Sequence, residues 1–247
     1  MRGDRSGLRL EFLNSALRMF ARRTHFVEDE ILGLREVIEP GSACIDVGAE
    51  YGLYTYVLAR LVGPGGTVHS IEPLPGPFRF LSAGIRASGC HNVRKYRVAL
   101  GEQSGQGVLS LPWRRGLPVH GRAFLTTGAK GLGPNVEFGS ARDVATDVLT
   151  LDELCAREGV ERVDFIKADV EGAEAALLHG GQSTLEAHRP ALLLEIEERH
   201  LAKYGAEPTE IVDFLAGRGY AMYVWHSGRW RETAEVTTTR RNYLFMV

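Results

Sequence analysis

Apolar positions along the chain switch between helical spacing and short continuous runs, and that rhythm predicts the architecture. Residues 8 to 22 place Leu8, Phe12, Leu13, Leu17 and Phe20 at helical spacing, and a second short helix is expected over 26 to 38. Pro40-Gly41 then breaks the chain. Short apolar runs predict strands at 43 to 47, 67 to 71, 93 to 98, 163 to 169, 191 to 196 and 219 to 225, with a last one over "NYLFMV", 242 to 247. Helices are expected between them at 53 to 61, 76 to 88, 151 to 157, 172 to 179 and 208 to 217. Residues 106 to 111 alternate like a strand, with 144 to 149 as the partner. This alternation implies an α/β fold, a doubly wound and mostly parallel sheet with ligands outside the carboxyl ends of its strands. The final pair of strands is expected to meet as a hairpin and close the sheet antiparallel.

Composition narrows the class. A chain of 247 residues suits one α/β domain, here 41 to 247, preceded by a helical extension over 1 to 40. Its 44% hydrophobic content is enough for a full core, and a formal charge of −2 gives no support for nucleic-acid binding. Cys44, Cys90 and Cys155 are scattered without CxxC spacing, which argues against a disulfide framework or zinc site and for a reducing compartment. The start "MRGDRSGLRLEF" lacks the apolar core of a signal peptide, and "PALLLEI" is too short to span a bilayer. The expectation is a cytoplasmic protein with no integral membrane segment, whose amphipathic first helix is available to a homodimer.

The stretch 112 to 140 stands apart as an insertion rich in glycine, proline and basic residues. It carries Arg114, Arg115, Arg122 and Lys130, with no acid between Pro112 and Val136, and Trp113 and Phe124 offer rings to stack on a sugar. An acceptor lid is one expectation; a mobile surface loop or a dimer contact is the other.

Candidate chemistry begins at Asp46-Val47-Gly48-Ala49-Glu50-Tyr51-Gly52. A dinucleotide loop wants G-x-G-x-x-G so that amides reach a pyrophosphate, whereas this turn has two glycines and an acid that competes for the same place. A cationic ligand with one small carboxylate suits it better, and S-adenosylmethionine is such a molecule. Glu72 ends the second strand twenty positions after Gly52, where two carboxylate oxygens match the vicinal hydroxyls of a ribose, and Pro73 stops the strand. A plain glycine turn, a helix-capping acid and an NAD-dependent oxidoreductase remain open at this point. Farther on, "VDFIKADVEGAE" gathers Lys167, Asp169 and Glu171 at the end of an apolar strand, with Lys167 and Asp169 on one side. "PALLLEIEERH" adds Glu195, Glu197 and His200 at the next rim. These charges form either a structural ion pair around Lys167 or an acceptor site.

Together "IDVGAEYGLYT", "IEPLP", "VALG", "TLDEL", "VDFIKADVEGAE", "PALLLEIEE" and "NYLF" resemble the FkbM-type S-adenosylmethionine-dependent methyltransferases, from about Gly41 to the C-terminus. Glu50 departs from the family, which often has a polar neutral residue there. The resemblance implies a class I methyltransferase (Rossmann-like) sheet of seven strands and O-methylation of a sugar, glycolipid, polysaccharide or natural product, with an amine acceptor as the alternative. It implies that Asp46, Gly48, Ala49, Glu50 and Gly52 frame the methionine and ribose end of the cofactor. Tyr54 and Thr55 would close over the carboxylate, Glu72 and Pro73 would hold the ribose side, and Ala99 and Leu100 would face the adenine. Asp169 would sit by the amino group or the acceptor. Asp169 and Glu195 are expected to position the acceptor, with Lys167 in the same group and His200 and His120 as reserve bases. Asp169, Glu195 and Glu197 also offer hard oxygen ligands for a divalent cation such as Mg2+.

Overall fold

The computed structural model describes residues 28–131, 138 and 140–247, so the helix expected over 8 to 22 lies outside the described residues. In chain order the strands are β1 (Ala43–Val47), β2 (Thr67–Ile71), β3 (Val93–Tyr96), β4 (Ala99–Leu100), β5 (Gly105–Arg114), β6 (Leu117–Pro118) and β7 (Phe124–Leu125). They continue with β8 (Ser140–Leu149), β9 (Phe165–Ala168), β10 (Ala191–Glu195), β11 (Ala221–His226), β12 (Arg229–Glu232) and β13 (Asn242–Met246). The helices are α1 (Leu53–Val62), α2 (Pro75–Ser88), α3 (Leu151–Glu158), α4 (Glu174–His179), α5 (Gln182–His188), α6 (Glu198–Leu201) and α7 (Pro208–Ala216).

The main sheet runs β12-β11-β13-β10-β9-β1-β2-β3. Its centre is parallel, with β1 between β2 and β9, so Asp46 lies opposite both Ser70 and Lys167. Continuous burial along β1, β9 and β10 fits strands covered on both faces. One face packs Ile45, Val47 and Ile166 against α3, α4, α5 and α7; the other packs Cys44, Val68 and Phe165 against α1 and α2. Architecture and strand order are those of the class I methyltransferase sheet, but it has eight strands among the described residues rather than seven. The extra one, β12, returns from β11 through Ser227 and Gly228, whose φ values of 52° and 79° make a tight hairpin turn. Its largely exposed residues leave no apolar alternation to read. The expected antiparallel pairing of 219 to 225 with 242 to 247 holds as β11 with β13; β13 also lies antiparallel to β10, and β12, which falls between β11 and β13 along the chain, forms a tight hairpin on β11.

Two other expectations change. The helix expected up to residue 38 is, from residue 28 onward, two short 3-10 turns, Asp29–Leu32 and Leu34–Glu36, parted at Gly33. Trp225 and Trp230 press on that glycine so closely that a Cβ would lie 2.5 Å from the Trp225 ring, and Trp230 donates to its carbonyl. The strand expected over 93 to 98 stops at Tyr96, and Ala99–Leu100 instead joins a second sheet, β4-β8-β5-β6, with β7 paired to β5.

That second sheet joins strands on both sides of the segment read as an insertion to the short β6 and β7 within it. The expected pairing of 106 to 111 with 144 to 149 holds and extends to Trp113 opposite Ser140. From there the chain folds back through β6, the short turn His120–Arg122 and β7, which lays Leu125 beside Leu109. Leu74, Ala99, Leu109, Leu111, Leu125 and Val148 form its small core. Two bonds fasten it to the segment after α6: Tyr204 donates to the Leu125 carbonyl at 2.6 Å, and the Lys130 amide donates to the Lys203 carbonyl at 2.7 Å. No helix among the described residues is long and apolar enough to cross a membrane.

The closest approach in the central sheet is at Gly48. With φ +76°, its added Cβ would sit 1.9 Å from the Asp169 carbonyl oxygen, whereas at Gly41, φ +89°, a Cβ meets nothing within 4 Å. Gly41→Ala should cost about 1 kcal/mol from the left-handed backbone alone, and Gly48→Ala roughly 3 kcal/mol or more, because backbone must also move. Thermal denaturation should separate the two by at least about 4 °C; equal midpoints would contradict the close approach.

Candidate active site

After Val47 the chain turns sharply, and the bonds of that turn point inward. The Gly48 and Ala49 amides both donate to the Ile71 carbonyl at 3.0 Å, and the Gly52 amide donates to the Ala49 carbonyl at 2.7 Å. Glu50, itself at φ +46°, donates its amide to Glu72 Oε2 at 2.9 Å. Glu72 Oε1 accepts from the Leu74 amide at 2.7 Å. The turn therefore spends these amides on its own structure and on the end of β2. Glu72 is buried, and burial pushes its carboxyl up to about 7, against the pull of the two amide hydrogen bonds. Each carboxylate oxygen keeps a further lone pair for a ligand hydroxyl.

Above the carboxyl ends of β1, β2 and β9 lies a cavity that opens to solvent. Part of its wall is apolar, Val98 with Ala99, Leu100, Leu109 and Leu125 of the second sheet. Its polar wall residues are Glu50, Glu72, His120, Asp169 and Glu171. His120 reaches Tyr51 Oη at 2.8 Å through Nδ1, so the second sheet roofs the glycine turn.

Of the residues expected around a cofactor, Gly48, Glu50, Glu72, Pro73, Ala99, Leu100 and Asp169 line the cavity. Asp46, Ala49, Gly52, Tyr54 and Thr55 are not among the wall residues. Asp46 is fully buried: Thr55 Oγ1 donates to it at 2.6 Å and lies 2.8 Å from Ser70 Oγ, tying β1 to α1 and β2. Burial raises the Asp46 carboxyl to about 6. Gly52 begins α1 at φ +92°, where a Cβ would strike Leu81 and Tyr56. Tyr54 is buried, donates to Glu28, and sets its ring 5.0 Å from the Lys167 ammonium. Asp46, Gly52, Tyr54 and Thr55 thus hold the wall from behind.

At the far end Lys167, Asp169 and Glu195 do come together. Lys167 Nζ is 3.8 Å from Asp169 Oδ2; burial opposes its charge, but Asp169, Glu28, Glu195 and Asp46 raise its pKa nonetheless. Burial drives the Glu195 carboxyl well up, and the charge of Asp169 and a hydrogen bond to it add to the effect. Glu197 does not join them. Its carboxylate is held by Arg199 at 3.0 Å and Arg241 at 3.2 Å, which corrects its placement in an Asp169–Glu195–Glu197 metal set. In its place stands Glu171, quoted in the strand-end motif but given no role there. Glu171 and Gly172 take φ +56° and +106°, and His200 packs so closely that a Cβ on Gly172 would lie 2.2 Å from its carbonyl. This bend lays Glu171 Oε2 3.3 Å from His200 Nε2 and 3.2 Å from Lys203 Nζ. Burial raises Glu171 to about 7, and burial with the surrounding cations pulls His200 well below its usual range. Arg122, from the roof, bonds His200 and sits 3.9 Å from Glu171. An acidic residue just before a glycine at a strand end was the one available sign of Glu171's position; Arg122 was marked only as one of the basic residues of the insertion, and Lys203 gave no sign, since the partners of both are distant in sequence.

The chain is similar to known proteins along most of its length. The model of the methyltransferase FkbM domain matches residues 46–222. The 31-O-demethyl-FK506 methyltransferase FkbM of Streptomyces tacrolimicus is 25% identical over 236 residues, covering 88% of this chain and 87% of that protein. The antimetabolite synthetase AmbE of Pseudomonas aeruginosa is 23% identical over 242 residues, 89% of this chain but 11% of its own length. Among solved structures, a methyltransferase FkbM from Methylobacillus flagellatus superposes with a TM-score of 0.52 at 16% identity, over 98% of this chain and 61% of the other.

The raised Glu72 carboxyl has a measurable consequence. A group lifted from 4.5 to about 7 on folding stabilises the fold most below its unfolded value, and that contribution fades as pH rises through about 7. Glu72→Gln cannot titrate, so its melting midpoint should gain on the parent's between about pH 4.5 and pH 7.5. A difference that stays flat over that range, or moves the other way, would count against the buried carboxyl.

Proposed function

The chain belongs to the FkbM methyltransferase family, and from that premise we propose that it carries a methyl group from S-adenosylmethionine to a hydroxyl of a sugar, glycolipid, polysaccharide or other natural product. The observation that carries the cofactor assignment is the pairing of inward-turned loop amides with the Glu72 carboxylate in the cavity wall. A diphosphate wants free amides, and the bonds at Gly48, Ala49, Glu50 and Gly52 commit theirs elsewhere; a nicotinamide dinucleotide is thus the poorer fit. A ribose diol wants a carboxylate with spare lone pairs, an adenine wants the strip Val98 to Leu100, and a positive centre favours Glu50 and Asp169. When bound, the cofactor supplies a methyl group made electrophilic by its sulfonium.

The chain's own work is then alignment and proton handling. Asp169, with a side chain 37% exposed, reaches the cavity while Lys167 and Glu195 hold it from behind. It is the group we assign to accept the hydrogen bond, and then the proton, of the acceptor. Glu195, its carboxyl raised, keeps a proton and donates it in a hydrogen bond to Asp169, which fixes that side chain's direction. His120 stands at the wall and His200 behind it; burial lowers both, and holds His200 neutral. An oxygen acceptor is favoured over an amine by the relative from Streptomyces tacrolimicus, whose name places its methyl group on oxygen. The roof formed by β5 to β8 is assigned as the acceptor lid, because Gly121, Ala123 and Leu125 line the same cavity.

The test is methyl transfer from isotopically labelled cofactor across mono- and oligosaccharides and hydroxylated natural products, read by mass spectrometry. Methyl on oxygen is expected, and Asp169→Asn should cut turnover by about 100-fold or more while the cofactor still binds. Full turnover in that variant with acceptor binding intact would remove Asp169 from its role, and methylated nitrogen would overturn the oxygen assignment.

A further inference from the structure

We infer that Arg122 is the resident cation of the acceptor side, filling the place in the Glu171–Glu195–His200 cluster that a divalent ion would need, so that no metal binds there. The inference rests on the proposed function only in calling this the acceptor side.

Ligand atoms of Glu171, Glu195 and His200 lie within 4.8 Å of one another, and all three residues are buried. Two carboxylates and an imidazole at that spacing resemble a site for a small hard cation. The position is already taken. Arg122 Nη1 donates to His200 Nε2, the atom a metal would have to use, and stands 3.9 Å from Glu171 Oε2. Because Nε2 accepts, the imidazole proton belongs on Nδ1. Lys203 Nζ adds a second positive charge, 3.2 Å from the same Glu171 oxygen and 3.0 Å from the Glu171 carbonyl. A divalent ion would meet two like charges and no free imidazole lone pair.

The two cations differ in how they are held. Lys203 is fully buried, 4.7 Å from the Phe124 ring centre, and belongs to the body of the domain. Arg122 arrives on the turn His120–Arg122, between Gly121 and Ala123, which line the cavity. The roof is therefore what supplies this charge. A guanidinium has five N–H donors in one plane, so with His200 and Glu171 engaged it keeps donors for an acceptor oxygen that gains negative charge as its proton leaves. That is the stabilisation a metal would supply by coordination.

Removing the charge should open a site that the parent lacks. Mn2+ is titrated into the parent, Arg122→Ala, Arg122→Gln and Arg122→Lys, following free ion by electron paramagnetic resonance, with melting midpoints recorded for each. Parent and Arg122→Lys should show no stoichiometric uptake. Arg122→Ala and Arg122→Gln should bind one Mn2+ per chain at least about ten-fold more tightly than the parent, and adding Glu171→Gln should abolish it. Stoichiometric uptake by the parent that His200→Ala removes would overturn the inference. So would a folded Arg122→Ala or Arg122→Gln with no gain. Calorimetry with S-adenosylhomocysteine on the same samples separates the two levels: no binding anywhere would remove the methyltransferase reading while leaving the cation result to stand or fall alone.

Discussion

Two backbone amides converge on the Glu72 carboxylate, one from Glu50 in the glycine turn and one from Leu74 beyond the strand. That pair of bonds couples the end of β1 to the end of β2 and gives the turn one shape. Because Gly48 and Ala49 also donate inward, the turn presents a carboxylate rather than a row of amides to the cavity. Everything said about the ligand follows from this reversal of polarity. A loop that offers N–H groups attracts phosphate; this one offers oxygen, and it suits hydroxyls and positive charge.

The same economy governs the acceptor end. Seven charged or titratable side chains meet there, and no carboxylate among them is left to face the low-dielectric interior alone. Lys167 answers Asp169, while Lys203 and Arg122 answer Glu171. Glu195 meets the burden differently, by keeping its proton beside Asp169. Charges arranged in this way cost several kcal/mol each to bury without partners, and Arg122 of the roof supplies one of those partners. Fold and chemistry are therefore joined at one residue of the second sheet.

Most of the main sheet was legible along the chain because its strands are short, apolar and punctuated by glycine or proline. β1, β2, β9 and β10 fall within a residue or two of their expected limits, and so do α1 and α2. What escaped was written in polar residues or in contacts distant along the chain. β12 shows no alternation because both its faces are largely open, and α5 hides behind Gly180 and Gly181, where close packing against Gly101 and Leu151 calls for glycine. The segment 112 to 140 read as irregular because β6 and β7 are two residues each, too short for alternation to show, and both pair back onto β5. At the site, Glu72, Asp169, Glu195 and Lys167 were found from strand ends. Glu197 was misplaced because alternation shows which side a residue takes on a strand, and the strand had already stopped at Glu195. Arg122 was marked only as one of several basic residues of the insertion, with nothing local to pair it with His200 and Glu171.

The central claim is that the Glu72 carboxylate receives a ribose in a site that rejects diphosphate. Isothermal calorimetry of the parent and Glu72→Ala with S-adenosylhomocysteine and with NAD tests it most directly. The account predicts binding of the adenosyl compound, about 100-fold weaker in the variant from the loss of two charge-assisted hydrogen bonds, and no heat from NAD. NAD binding more tightly than the adenosyl compound, or an affinity indifferent to Glu72, would contradict it.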